Sequence, residues 1–277
     1  MINALVIKTR QSNLPSTFFT KLTPLFDIVQ LIPSKLITIQ QQSQYIPIYG
    51  VTAISLNRLG LRTGDIVNFD NFILQKTPNF MEQVRFLSNN FELYESGILS
   101  SKGVILKKKV SIFVEQTFLI FAQNDIIQVT DIDQLDTIFE IQMEQRIEFL
   151  AIGFNEILAA SKNIIYRIFQ GGIEVITRTQ KDITGLIFTN QIIYTTYDSI
   201  CTVNGKRELF FFNQKIISLL FDEKYIYIFS ARRIVILTHK LTVVLINDFN
   251  ICYRCFYIEN GLIKCGNRNL DIYQICR

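Results

Sequence analysis

Short apolar runs separated by a few polar residues recur along this chain. Each unit consists of an apolar run, a polar turn and a second apolar run, which predicts two antiparallel strands joined by a tight turn. Successive copies begin roughly 33 to 39 residues apart, a spacing typical of a four-stranded structural repeat. The clear copies begin at Phe118, Ile157, Ile192, Tyr225 and Gly261, and fainter ones lie at residues 36–45 and from Phe72 onward.

The segment of residues 183–214 indicates that one unit holds four strands, which we call a, b, c and d in chain order. They are predicted at residues 183–188, 192–196, 200–203 and 208–212. Asn204-Gly205 separates strands c and d, and Asn-Gly is typical of a two-residue hairpin turn because both turn positions need a positive φ. Gly171-Gly172 and Asn260-Gly261 indicate similar hairpins in other units. Four hairpin-linked strands form an antiparallel meander.

The repeat predicts an all-β fold: a single closed β-propeller of seven four-stranded blades that spans residues 1–277. The last unit ends without a strand d. The isolated apolar run at residues 3–8 is predicted to complete that blade, because ring closure by both ends of the chain leaves no open sheet edge. An irregular connection is expected at about residues 11–25.

Three alternatives concern the less regular parts of the chain. Strand-like runs at residues 84–88 and 91–95 leave an eighth blade open, and residues 1–100 could instead form a separate small domain. Residues 133–150 can be drawn as an amphipathic helix. Residues 135–141 alternate between apolar and polar with one slip, however, and this period of two favours a strand.

The run Ile126-Ile-Gln-Val-Thr-Asp-Ile resembles the end of strand c in a WD40 blade, with Thr130-Asp131 where the Trp-Asp pair of that family falls. The resemblance implies a WD40-like propeller and covers nearly the whole chain as a pattern. The chain departs from the family in having no Trp and a single His, so the hydrogen-bonded tetrad of Asp, His, Ser and Trp is not available. Residues 149–169 are similar, more weakly, to the citron-homology propellers of vacuolar tethering proteins.

Composition bears on the class of protein and on its cellular compartment. Hydrophobic residues make up 49% of the chain and charged residues 19%, which excludes a disordered protein, while no run reaches the roughly 18 apolar residues of a membrane helix. The 23 Phe and 11 Tyr suit half-buried strands. Five Cys, an odd number, occur without a signal-peptide pattern or an Asn-x-Ser/Thr sequon, so free thiols and a cytoplasmic or nuclear protein are expected.

The sequence offers few candidates for catalysis or for cofactor binding. The chain has neither a G-x-x-x-x-G-K nor a G-x-G-x-x-G motif, and its one histidine, His239, is predicted in a turn between strands c and d. Cys252-Tyr-Arg-Cys255, with Cys265 and Cys276, could supply four thiolates to zinc. The first two, however, are predicted in a strand, where a spacing of three places them on opposite faces. We therefore expect free cysteines, no metal, no cofactor and no enzymatic activity.

Basic residues give the clearest indication of a partner. In a propeller with this strand order, the b–c turns and d–a links share one face, which would also carry Asp125 and Asp198. Such a face could bind an acidic peptide, RNA phosphates or an anionic lipid head group, although the net charge of +4 is modest. The candidate partner-binding residues on this face are Lys107, Lys108, Lys109, Lys162, Arg232, Arg233 and Arg268.

The function favoured by these features is a non-enzymatic protein–protein interaction scaffold, a WD40-like subunit of a larger intracellular complex. Two alternatives stay open: a propeller associated with RNA or ribonucleoprotein through its basic loops, and a vesicle-tethering or lipid-binding propeller. The sequence does not rank these two alternatives. A catalytic site in the central channel is the remaining hypothesis, and it lacks a motif to support it.

Overall fold

A computed structural model describes the chain at residues 38–46, 50–68, 74–75, 82–102, 104–116, 118–153, 156–203, 208–210, 215–259, 261–267 and 270–276. Every regular element in these ranges is a β-strand, and the strands form seven antiparallel sheets of four. The sheets are the blades of a seven-bladed propeller, numbered here in chain order. The first described strand, β1 (Thr38–Ile46), belongs to the last of them.

Blades 1 to 3 each consist of four strands that are consecutive in the chain. Those of blade 1 are β2 (Val51–Ile54), β3 (Arg58–Leu61), β4 (Ile66–Asn68) and β5 (Leu74–Gln75). Those of blade 2 are β6 (Val84–Leu87), β7 (Glu92–Tyr94), β8 (Leu99–Ser101) and β9 (Val104–Lys107). Those of blade 3 are β10 (Val110–Glu115), β11 (Phe118–Gln123), β12 (Ile126–Asp131) and β13 (Thr137–Gln142).

Blades 4 to 6 repeat this order, and blade 7 takes its fourth strand from the start of the described chain. Blade 4 contains β14 (Phe149–Gly153), β15 (Glu156–Ala160), β16 (Ile164–Phe169) and β17 (Gly172–Arg178). Blade 5 contains β18 (Gly185–Phe188), β19 (Ile192–Thr195), β20 (Ser199–Thr202) and β21 (Glu208–Phe210). Blade 6 contains β22 (Ile216–Phe221), β23 (Tyr225–Ser230), β24 (Arg233–Thr238) and β25 (Val243–Asp248), and blade 7 contains β26 (Cys255–Glu259), β27 (Leu262–Gly266), β28 (Leu270–Cys276) and β1.

The ring closes where β1 pairs with β28. The two strands run antiparallel, with Thr38 opposite Cys276 and Ile46 opposite Leu270. Completion of the last blade by an N-terminal strand is therefore confirmed, but the strand is Thr38–Ile46, and residues 3–8 lie outside the described residues. The interpretation of residues 36–45 as a strand–turn–strand copy, with strand b of the first blade beginning at Leu36, was wrong, because residues 38–46 form one strand. This strand is rich in Gln, and its own sequence does not indicate which sheet edge it joins.

The first two blades also differ in phase from the prediction. Strand b of blade 1 is β3, and strand b of blade 2 is β7 rather than a strand beginning at Phe72. The strand-like runs at residues 84–88 and 91–95 are strands a and b of blade 2, not an eighth blade. Strands of two to four residues are too short to show a period, which explains the error.

Strands in the later blades lie close to where the sequence predicted them. Residues 137–142 form a strand, not a helix. Gly171 and Gly261 have φ of 93° and 77° in the turns that follow β16 and β26, where glycine adopts positive φ without strain. The Asn204-Gly205 turn and the predicted connection at residues 11–25 lie outside the described residues, so a single domain over residues 1–277 stays a prediction.

The core consists of apolar layers between neighbouring blades. One layer joins blades 3 and 4 through Ile120, Ile127 and Tyr166, and another joins blades 5 and 6 through Ile193 and Ile228. Both faces of a blade are therefore covered, so the middle strands read as continuous apolar runs rather than as alternating ones. Strand a is innermost, because first strands of neighbouring blades, such as β14 and β18, contact each other around the ring.

Candidate functional site

The chain direction within the blades assigns each turn to one face of the ring. In an antiparallel meander the b–c turn and the d–a link leave the sheet at the same end, whereas the a–b and c–d turns leave at the other. We call the face with the b–c turns and d–a links the b–c face. Its described b–c turns lie at residues 62–65, 95–98, 124–125, 161–163, 196–198 and 231–232.

The predicted basic residues within the described chain lie at this face. Lys107 ends β9, and Lys108 and Lys109 form the link from blade 2 to blade 3. Lys162 lies in the b–c turn of blade 4. Arg232 and Arg233 lie at the b–c turn of blade 6, and Arg268 lies outside the described residues. The topology therefore groups these residues, and their role in binding stays a prediction.

Several cations of the b–c face already have partners. The Arg233 guanidinium forms a two-point ion pair with Asp248, with Nε 2.5 Å from Oδ1 and Nη2 3.3 Å from Oδ2. Lys162 Nζ lies 3.6 Å from a carboxylate oxygen of Asp182. Arg232 Nε donates a hydrogen bond to Cys252 Sγ at 2.8 Å. These groups are less available to a partner than the sequence indicated.

Asp198 and Lys181 form a further ion pair on this face, with Oδ1 and Nζ 3.3 Å apart. Partial burial of the Asp198 carboxylate favours a higher pKa, but hydrogen bonds from Ser199 and Lys181 outweigh it and leave the pKa below its ordinary value. The carboxylate is therefore ionised at neutral pH. It neutralises the charge of Lys181, which lies in the link from blade 4 to blade 5.

Two adjoining clefts open on the b–c face at blades 1 to 3, and we call them the paired clefts. The larger, of about 440 Å³, is lined by Arg62, Glu82, Gln83, Glu95 and Ser96. The smaller, of about 250 Å³, is lined by Arg85, Glu95, Ser96, Gly97, Lys109, Val110, Ser111, Asn124 and Arg146. The two share Glu95 and Ser96, and every lining residue belongs to a b–c turn, a d–a link or a strand end at this face.

Backbone contacts hold the walls of the smaller cleft in place. The Val110 N–H donates to the Gly97 carbonyl at 2.8 Å, which ties the b–c turn of blade 2 to the following link. Gly97 has a φ of 83°, and a Cβ there would lie 2.9 Å from the Val110 carbonyl oxygen, so only glycine fits. Lys109 has a φ of 62°, and Gln123 Nε2 donates to the Lys108 carbonyl at 2.8 Å. Lys109 is thus presented from a fixed, left-handed backbone position.

The cations of the paired clefts have no carboxylate partner among the residues that the structure describes. Within the described part of the chain, the side chains of Arg62, Arg85, Lys109 and Arg146 form no ion pair. The Arg85 guanidinium lies 5.1 Å from the centre of the Phe86 ring. The clefts therefore carry more positive than negative groups, since Glu82 and Glu95 are their only acidic lining residues.

Sequence reasoning missed Arg62, Arg85 and Arg146. Arg62 and Arg85 lie in blades 1 and 2, whose phase was predicted wrongly, so their face could not be assigned. Arg146 lies in the link from blade 3 to blade 4, where the phase was predicted correctly. Arg146 could have been predicted if single basic residues in the d–a links had been considered as well as runs of basic residues.

The structure places Cys252, Cys255 and Cys265 in or next to blade 7, and the side chain of Cys276 lies outside its description. Cys255 begins β26 and Cys252 lies in the preceding link, so the prediction that both lie in a strand was wrong. In this link the Tyr253 N–H donates to the Ala231 carbonyl at 2.7 Å, in the b–c turn of blade 6, and not to a strand of blade 7. Burial raises the pKa of the Cys255 thiol to about 12 and that of Cys265 well above its ordinary value. Among the residues that the structure describes, no three His, Cys, Asp or Glu side chains form a group that could hold a metal ion.

His239 lies in the c–d turn of blade 6, as predicted, on the face opposite the b–c face. It is half-buried rather than fully solvated, with its Nε2 atom 3.0 Å from the Asp222 carbonyl oxygen. The His239 carbonyl accepts a hydrogen bond from Gln191 Nε2 at 2.9 Å. The imidazole therefore contacts the a–b turn of its own blade, and the backbone carbonyl of His239 links blade 6 to blade 5.

Solved structures of other propellers are similar to this chain, although no protein-family model and no curated protein matches it. The WD40 domain of Toxoplasma gondii coronin superposes with a TM-score of 0.68 at 9% identity, over 90% of this chain and 88% of that one. Virginiamycin B lyase from Staphylococcus aureus gives 0.67 at 14% identity, over 87% and 100%. BBS1N in complex with ARL6DN gives 0.64 at 12% identity, over 86% and 97%.

The blades, the closure and these similarities define the fold as a seven-bladed β-propeller, the fold that the coronin WD40 domain also has. The run that resembles a WD40 strand c is β12, the third strand of blade 3, and it ends at Asp131. Asp131 Oδ1 accepts the N–H groups of Asp133 and Gln134 and so stabilises the following turn. At these identities the likeness extends to the fold alone. The described residues include no helix long and apolar enough to span a bilayer.

Proposed function

We propose that this protein is a non-enzymatic protein-interaction scaffold and a subunit of a larger complex in the cytoplasm or nucleus. The observation that carries the proposal is the b–c face, where the paired clefts hold cations that form no ion pair with any described residue. A propeller ring presents such loops with little freedom, which lowers the entropic cost of binding. One structural neighbour, BBS1N, was crystallised with a protein partner, ARL6DN.

Exposed apolar side chains on the outer strands support membership of an assembly. Val104 and Ile105 on β9 are 64% and 44% exposed, Ile138 on β13 is 46% exposed and Val175 on β17 is 45% exposed. These strands are the outer edges of blades 2, 3 and 4. A partner subunit that covers them would remove this apolar surface from water, which is favourable.

The proposal assigns no catalytic step to the chain. A lyase is among the structural neighbours, so the fold alone does not decide this point. The only histidine in the sequence lies away from the b–c face, and its ring nitrogen contacts a backbone carbonyl. No histidine is therefore available as a general base at the paired clefts.

The test is affinity purification of the tagged protein from its own cells, with washes at about 0.1 M and about 1 M salt, where the screening lengths are roughly 10 and 3 Å. Bound proteins are identified by mass spectrometry and bound RNA is measured in parallel. We expect a defined set of protein partners, part of which survives the high-salt wash through apolar contacts. Recovery of RNA or lipid without protein partners would contradict the proposal and favour the corresponding alternative.

A further inference from the structure

We infer that the paired clefts bind a short acidic segment of a partner protein, in which Asp or Glu residues alternate with hydroxyl or other neutral residues. The inference rests on the proposed function and names the chemistry of its partner. Three observations carry it: the cations of the smaller cleft have no carboxylate partner among the described residues, the cleft walls have a mixed polar composition, and the backbone of Lys109 is fixed.

Some cations of the b–c face are neutralised by carboxylates of the chain itself, whereas those of the smaller cleft have no such partner among the residues that the structure describes. On blades 4 to 6, Lys162, Lys181 and Arg233 each form an ion pair with a carboxylate of the chain itself. Arg85, Lys109 and Arg146 line one small cleft and have no such partner among the described residues. A bound carboxylate would therefore meet cations that no internal carboxylate already neutralises.

The cleft walls favour a peptide over a nucleic acid. Glu95 lies in both clefts and Glu82 lies in the larger one. A nucleic-acid strand carries a phosphate at every nucleotide, so it would meet repulsion at these carboxylates. Among the described residues, the cleft lining includes no aromatic side chain on which a base could stack.

A peptide with alternating charges avoids that repulsion. Its acidic side chains can meet Arg85, Lys109 and Arg146, while a Ser or Thr hydroxyl can donate to the Glu95 carboxylate. Ser96 and Asn124 supply additional polar groups for the peptide backbone. Glu82 Oε2 already accepts the Ser96 N–H at 3.2 Å, so this carboxylate is partly satisfied.

The geometry of the smaller cleft is formed before any partner binds. The hydrogen bond from Val110 to Gly97 and the left-handed backbone of Lys109 hold the turn and the link together. A non-glycine residue rarely adopts positive φ, and such positions are found more often at functional sites. A site with fixed walls requires less ordering on binding, so modest charge contacts suffice for measurable affinity.

The experiment measures fluorescence anisotropy of three probes at about 0.1 M salt, near the physiological screening length. The first probe is a fluorescein-labelled peptide of six Glu-Ser repeats, the second replaces each Glu by Gln, and the third is an oligouridine of similar length. The full chain is compared with Arg85→Gln, Lys109→Asn, Arg146→Gln and their triple combination. Asn is chosen because it tolerates the left-handed backbone. The matched control is Lys162→Gln, an exposed cation on the same face that is paired with Asp182.

We expect the Glu-Ser peptide to bind and the Gln-Ser peptide not to bind. Each single substitution in the cleft should weaken binding about three- to fivefold and the triple variant at least about tenfold, as for partly exposed charge pairs. Lys162→Gln should change it less than about twofold. The unfolding temperatures of the variants should match that of the original chain, because these side chains form no internal ion pair.

Three results would overturn the inference: tighter binding of oligouridine than of the Glu-Ser peptide, an unchanged affinity of the triple variant, or an equal loss in Lys162→Gln, which would indicate diffuse attraction. The affinity purification is repeated with the triple variant so that the two proposals can fail separately. A wild-type chain that retains no protein partner contradicts the proposed function. A triple variant that retains every wild-type partner contradicts the inference alone.

Discussion

Replacement of Glu92 by Gln should strongly destabilise the propeller, because it leaves a buried guanidinium without its counter-charge. Glu92 lies on β7 of blade 2 and is fully buried, and Arg58 lies on β3 of blade 1. Arg58 Nη2 pairs with Oε1 of Glu92, and Arg58 Nη1 donates to the carbonyls of Ser88 and Asn89, both at 3.1 Å. Ser100 Oγ donates to the other carboxylate oxygen at 2.6 Å.

The expected loss in the free energy of unfolding depends on which charge is left without a partner. Arg58 is 8% exposed, so in the Glu92→Gln variant its guanidinium would stay buried without a counter-charge. Removal of one partner of a buried ion pair typically costs about 3–5 kcal/mol. A folded domain is stable by only about 5–15 kcal/mol, so the loss is a large fraction of the total. The unfolding temperature should fall by roughly 6 to 20 °C.

The assay is urea unfolding followed by circular dichroism, with Arg58→Met, Glu92→Met and the double variant completing a double-mutant cycle. The double variant should recover most of the stability, because two apolar side chains of similar length need no counter-charge. A loss below about 1 kcal/mol in Glu92→Gln would refute this reasoning. A double variant that loses the sum of both single losses would refute it equally, since the pair would then show no coupling.

Three further predictions concern the closure, the cleft turn and one surface carboxylate. Deletion of residues 38–46 should cause aggregation at room temperature, measured by light scattering, because it leaves the edge of β28 unpaired; a soluble ring with unchanged melting would contradict it. Gly97→Val should lower the free energy of unfolding by more than about 1 kcal/mol in urea unfolding, because the added Cβ would lie 2.9 Å from a backbone oxygen at a residue with positive φ. Gly171→Val is the control for backbone strain alone, because Gly171 has a φ of 93° and open space around it. Asp198 has a lowered pKa in the folded chain, so its stabilising effect is present above the ordinary pKa of about 3.9 and is lost as pH falls through the lower folded value. Asp198→Asn should therefore be less stable than the original chain by under about 1 kcal/mol at pH 7 and equally stable near pH 2, and a difference that grows on acidification would contradict the assignment.

Local signals predicted most of blades 3 to 7. In blade 5 the predicted strands agree with β18 to β21 within a few residues, because each hairpin pairs segments that are close in the sequence. The glycine turns at Gly171 and Gly261 were recognisable for the same reason, since their positive φ is a local requirement. Blades 1 and 2 were misplaced because their strands are too short to carry a period.

The candidate site was predicted only in part. The face was correct, because the order of antiparallel strands determines which turns lie together, and Lys109 was among the residues named. The ion pairs that occupy Lys162 and Arg233 were not foreseen, because a charge run does not reveal where its counter-charges lie. Arg62, Arg85 and Arg146 join Lys109 only through the packing of three blades.

The amino-acid sequence is sufficient for the all-β class, the repeat of four strands and the face on which the basic turns lie, since each depends on neighbours within one blade. The closure of β1 on β28, the buried pair of Arg58 and Glu92 and the shape of the paired clefts depend on contacts between different blades. Those contacts join residues that are distant in the chain. No local pattern encodes which of them meet, and their arrangement appears only when the whole ring is packed.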